Sequence, residues 1–163
     1  MSAVRDIVST YRRPREVFSR WIAGAPDEAR ALIVVMVACG IVFLSQWPVA
    51  ARKSYLTGED IGPLIGGSLM AWIFIVPLAL YAIAWVVHLV LTIFGGQGSS
   101  FAGRMVLFWA LLAASPLWLL NGMVVGIIGQ GFQAQLIGAL GLFAFVIFWI
   151  IGLKISYFQR DKG

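Results

Sequence analysis

The side chains able to do chemistry are few, and none stand in a working set. Cys39 and His88 are the only cysteine and the only histidine in 163 residues. A lone thiol closes no intramolecular disulfide and a metal centre needs several ligands, so Cys39 reads as a small buried hydrophobe. His88 has no carboxylate in the apolar tract around it. A proton relay or a metal site would need one, so it reads as a helix-packing or interfacial histidine. Ser68, Ser115, Asn121, Gln130 and Gln133 are isolated uncharged groups, suited to bonds across helices or to turn caps. They supply no set of nucleophile, base and orienter. No phosphate-binding loop, thiol pair or carboxylate pair is present. The chain reads as a non-enzyme, with no catalytic, cofactor-binding or metal residues.

What would position these groups is a membrane. No Asp, Glu, Lys or Arg lies between Asp60 and Arg104, or between Arg104 and Lys154, and Ala31 to Ala50 forms a third apolar tract. Hydrophobic residues make up 61% of the chain and the mean hydropathy is +0.92. Some 20 apolar residues in a helix cross roughly 30 Å of hydrocarbon. The expected fold is all-α: a polytopic bundle of about four transmembrane helices, preceded by an interfacial amphipathic helix. The spans are expected near 31–50, 68–93, 104–125 and 133–153. Residues 51–60 read as a polar link and 60–67 as a lead-in turn or short half-helix. Pro77 and Ser115-Pro116 mark bends. The Gly- and Ser-rich stretch 95–100 and Gly129-Gln130-Gly131 read as turns. The domain plan is a cytoplasmic segment 1–30, a transmembrane domain 31–157 and a cytoplasmic tail 158–163.

Charge sets the orientation. All of the 12 basic residues except Arg52 and Lys53 fall before the first span, at Arg104 or after the last span. With four crossings these regions share one side, and the positive side is cytoplasmic. Both termini are therefore expected in the cytoplasm, with the first span an uncleaved signal anchor. The same juxtamembrane distribution turns the net charge of +5 away from nucleic acid and towards anionic headgroups.

Within the leader, Pro14 suits a first helical turn. Val17, Phe18, Trp21 and Ile22 share one face, opposite Arg15, Glu16, Ser19 and Arg20. That pattern fits a helix over 14–23 lying on the membrane surface, with Phe18 and Trp21 as lipid anchors. A loose tail that merely supplies positive charge is the plainer alternative. Gly62 and Gly66, with Pro63 between them, and Gly122 and Gly126 have the four-residue spacing that lets helix backbones approach closely. They are candidate contacts for a second copy or another membrane protein, or for packing inside one bundle. Association with protein or lipid, as scaffold, assembly factor or accessory subunit, is the leading function. A small transporter or channel component is the alternative, since Pro77 and Ser115-Pro116 offer helix breaks but no midplane charge.

Three stretches resemble one family. Tyr11-Arg12-Arg13-Pro14-Arg15-Glu16-Val17-Phe18 is similar to the opening of bacterial members of the Yip family, the Ypt/Rab-interacting membrane proteins. Gly58-Glu59-Asp60-Ile61-Gly62-Pro63-Leu64 resembles the acidic-aliphatic-Gly-Pro motif of its eukaryotic relatives, and Ala110-Leu111-Leu112-Ala113-Ala114-Ser115-Pro116 the span after the Gly-rich loop. The resemblance implies an all-helical membrane domain with a cytoplasmic N-terminus, here in a bacterial inner membrane. Eukaryotic members have about five spans and associate with prenylated small GTPases and with one another. This chain departs from them in its four expected crossings and its short leader, so the fold and the membrane location carry over and the trafficking role does not.

Overall fold

The computed structural model describes residues 3–23 and 25–158, and every regular element in them is helical. Four helices are long and apolar enough to cross a membrane. They are preceded by a hairpin of two short helices, α1 (Ala3–Arg12) and α2 (Pro14–Ile22). Pro14 opens α2 at a position whose N–H would have no helical partner. The chain turns extended at Ala23, which ends it.

The first long helix, α3 (Glu28–Thr57), starts where the Asp27 carboxylate accepts the Arg30 N–H at 3.1 Å. It stops at Gly58, whose φ of 71° is a left-handed cap suited to glycine. Its 30 residues run about 45 Å, so it continues through the stretch expected to be a polar link. Ala51, Arg52 and Lys53 are good helix formers, and the first stop signal is Gly58 itself. Asp60 then caps α4 (Ile61–Met70) by accepting the Gly62 N–H. Here too the helix is longer than the sequence suggests. Pro63 falls in the first turn, where it costs nothing. The helix runs on through a π-type turn, Ala71–Ile75, into α5 (Val76–Ile93). That wide turn, closed by the Val76 N–H on the Ala71 carbonyl, directly precedes Pro77. It makes room for a ring that would clash with the carbonyl four residues back.

Ser99 caps α6 (Ser100–Ile127) by accepting the Ala102 N–H. Pro116 lies inside α6 and cannot bond to the Leu112 carbonyl. The Ser115 hydroxyl donates to that same carbonyl at 2.8 Å, and the helix continues. A turn at Gly129, with φ of 106°, leads into α7 (Phe132–Phe158).

The bundle is built around α6, and unevenly. From Phe101 to Ser115 every residue of α6 but Arg104 is buried, whereas most of its second half is partly or fully exposed. A helix buried all round needs neighbours on every side. Here α3, α5 and α7 provide some of them, and the α1–α2 hairpin completes the ring.

Candidate functional site: the hairpin end of the bundle

The hairpin, the 94–99 loop and the end of α7 meet at one end of the bundle, where most of the interhelical polar contacts are made. On α1 the inward face is Asp6, Ile7, Thr10 and, in part, Tyr11. Thr10 is fully buried; its hydroxyl donates to the Asp6 carbonyl at 2.7 Å and accepts the Trp109 indole N–H at 3.1 Å. The Tyr11 hydroxyl donates to the Ala113 carbonyl at 2.8 Å, and its ring meets Phe148 edge-on. Burial pushes the Tyr11 phenol above its ordinary range. Arg20 on α2 reaches back to the nearly buried Asp6 carboxylate at 3.2 Å. Trp21 stacks on Trp109 with centroids 4.2 Å apart, and Arg30 donates to the Trp21 carbonyl.

The remaining groups at this end clamp the loop. His88 Nδ1 and the Tyr157 hydroxyl share a 2.7 Å hydrogen bond. The Gln97 N–H donates to the Tyr157 carbonyl, and the Tyr157 ring lies against Gly96, Gly98 and Gly103. A Cβ at Gly98 would sit 2.7 Å from that ring, so only glycine fits there. Arg104 pairs with Glu28 at the start of α3 and donates to the Ser100 hydroxyl at 2.9 Å. These bonds join helices, and the hydroxyl–imidazole pair among them, Tyr157 with His88, links α7 to α5. Among the described residues no three His, Cys, Asp or Glu side chains gather in a way that could hold a metal ion.

The sequence model of the Yip1 domain matches residues 8–162, nearly the whole chain. The chain belongs to the Yip1 family. Comparisons with curated proteins and with solved structures give no match. In this Yip1-family chain the matched region takes in most of the hairpin as well as the four long helices, so the hairpin is part of the family unit.

The structure redistributes the residues singled out from sequence. Phe18 is fully buried, held between Gly152 of α7 and the core, and its neighbour Val17 is buried as well. Trp21 is half-buried on Trp109. The expected lipid anchors therefore face protein. An apolar helix face looks the same in sequence whether lipid or another helix covers it. Gly122 and Gly126 lie against the backbones of Ser45 and Pro48 of α3, so that pair serves packing inside one chain. Gly62, Pro63 and Gly66 are exposed on α4, and a side chain added at Gly66 would meet nothing within 4 Å. Of the 158–163 tail, residues 159–163 lie outside the described residues. Sequence reasoning missed α1 altogether. Its signal was available: Asp6, Ile7, Thr10 and Tyr11 repeat the spacing of Val17, Phe18, Trp21 and Ile22, with polar residues in two of the inward places.

Proposed function

We propose that this Yip1-family membrane protein works by association, as a scaffold, assembly factor or accessory subunit, and neither catalyses nor transports. The observation that carries the reading is the packing of α6. Where a translocation path would be expected between the helices, Met105, Val106, Phe108 and Trp109 are fully buried against one another's neighbours. The Ser115 hydroxyl at mid-span is spent on its own helix. A solid core supports a protein that presents outer faces over one that opens a path. The outer face with least cover is α4–α5. Its small residues Gly62, Gly66 and Gly67 let another backbone approach closely, and a second copy of this chain is the occupant to test first. The basic end, with the hairpin, Arg104 and Lys154, faces the cytoplasm on this reading. The membrane would be the inner membrane of a bacterium, with 1–30 and 158–163 as cytoplasmic parts.

The test is chemical cross-linking and sizing of the full chain in mild detergent, wild type against Gly66→Leu. Dimers in the wild type that are lost in the variant support the reading; a monomer under all conditions refutes self-association. The transporter alternative has one observation on its side. The Trp118 indole N–H and the Asn121 amide oxygen are buried without partners on α6, beside Gly141 and Gly138 of α7. Solute or ion flux through proteoliposomes holding this protein alone would establish that alternative. Reporter fusions at residue 163 and within 52–58 test the orientation.

A further inference from the structure

At the tip of the hairpin lies a cleft of about 360 Å³ lined by Ser9, Arg12, Arg13, Glu16, Val17 and Arg20. We infer that this cleft binds the phosphodiester of an acidic phospholipid, and so fixes one lipid to the hairpin.

Three guanidiniums line the cleft. Arg20 is held in place from behind by the Asp6 carboxylate, whose side chain is only 8% exposed. A guanidinium has five N–H donors in a rigid fork, and one carboxylate leaves several of them free. Arg13 meets Glu16 only at 3.5 Å, with both side chains largely exposed, a contact of little strength. Arg12 is exposed. The start of α2 also opens here. Its cap residue is Arg13, which makes no side-chain cap bond, and Pro14 has no N–H, so the Arg15 and Glu16 N–H groups have no side-chain cap. Against the three arginines stand the carboxylates of Glu16 and Asp6, which leaves one net positive charge. That balance suits a monoanionic phosphodiester over a zwitterionic headgroup, whose cation would meet only the single exposed carboxylate of Glu16.

Position favours lipid over free phosphate. Tyr11 bonds to α6 at Ala113, about 20 Å along that helix from its start. Arg12 and Arg13 follow directly, so the tip lies beside the flank of the bundle rather than beyond its end. Arginines held against the flank of a membrane bundle are costly, and the phosphate of a bound lipid would offset their charge there.

The inference rests on the lipid half of the association reading, and the experiment separates the two because it scores bound lipid rather than oligomers. Native mass spectrometry of the full chain in mild detergent is run with dioleoyl phosphatidylglycerol, dioleoyl phosphatidylcholine or inorganic phosphate. Retention of phosphatidylglycerol over phosphatidylcholine is expected. The Arg12→Gln/Arg13→Gln double variant should lose about tenfold in affinity for phosphatidylglycerol, as fits the loss of charge-assisted bonds. Both side chains are exposed, and the helical circular dichroism should be unchanged. Lys53→Gln, at the other end of the bundle, should bind like the wild type. Equal retention of the two lipids, or full affinity in the double variant, overturns the inference. Displacement of the lipid by millimolar inorganic phosphate would give the cleft to a free anion instead.

Discussion

Phe18→Ala distinguishes a docked hairpin from one lying on the membrane. The ring is fully buried, and a Cβ placed on Gly152 would meet its edge at 3.0 Å, so it fills the space between α2 and α7. Truncating a buried Phe to Ala typically costs about 3–5 kcal/mol. Here the undocked hairpin can rest its apolar face in the membrane interface instead of water. That removes part of the transfer cost and leaves the cavity and the lost contacts, which puts the expected loss near the lower figure, about 3 kcal/mol. At about 1.4 kcal/mol per factor of ten, the open hairpin becomes about a hundredfold more populated. The assay is hydrogen exchange in nanodiscs, followed by mass spectrometry of the hairpin peptides. Amides of α1 and α2 should exchange about a hundredfold faster in Phe18→Ala, with those of α3 little changed. If the hairpin amides exchange at the wild-type rate, Phe18 does not hold the hairpin to the bundle and the packing argument fails.

Gly126→Leu should force α6 away from Pro48 of α3 and destabilise the fold by at least about 1–3 kcal/mol, seen as a lower melting temperature in detergent, whereas Gly66→Leu should leave the melting temperature of the monomer unchanged. Ser115→Ala leaves the Leu112 carbonyl without its hydroxyl donor and should cost about 1 kcal/mol in the same assay. Tyr157→Phe removes the bond to His88 and should raise protease sensitivity in the 94–99 loop while the ring still packs on its glycines. Burial raises the Tyr11 phenol above 10.0, so its contribution to docking is whole below that pH and lost as the pH rises through the raised value. Hairpin exchange, corrected for its intrinsic pH dependence, should accelerate above pH 10, and Tyr11→Phe should abolish that acceleration.

The membrane fold was legible because hydrocarbon imposes one strong rule: an uncharged apolar run of sufficient length must be a helix that spans. All four spans follow from it. Their ends were harder to place. Arg52 and Lys53 looked like a link, yet the α3 backbone stays helical to Gly58, and Arg52 turns its charge onto the Ile127 carbonyl at the end of α6. The glycines of α4 looked like breaks, but a capped helix start and a π-type turn absorb Pro63 and Pro77. At the candidate site, the inward face of α2 was visible and its partner was not. Sequence periodicity shows that Phe18 must be covered; only the tertiary fold shows that Gly152 covers it.

The burial of α6 has a consequence for the order of assembly. The hairpin is made before the helices that bury it, α6 and α7. At about 5–20 residues per second, on the order of ten seconds separate the synthesis of Phe18 from that of Gly152. For that interval Val17, Phe18 and Trp21 need an apolar shelter, and the membrane surface beside the insertion site is the nearest one. On that account the amphipathic face would serve two hosts in succession, lipid during synthesis and protein afterwards. Variants that weaken lipid contact at the hairpin should then lower the yield of folded protein without lowering the stability of the molecules that do fold.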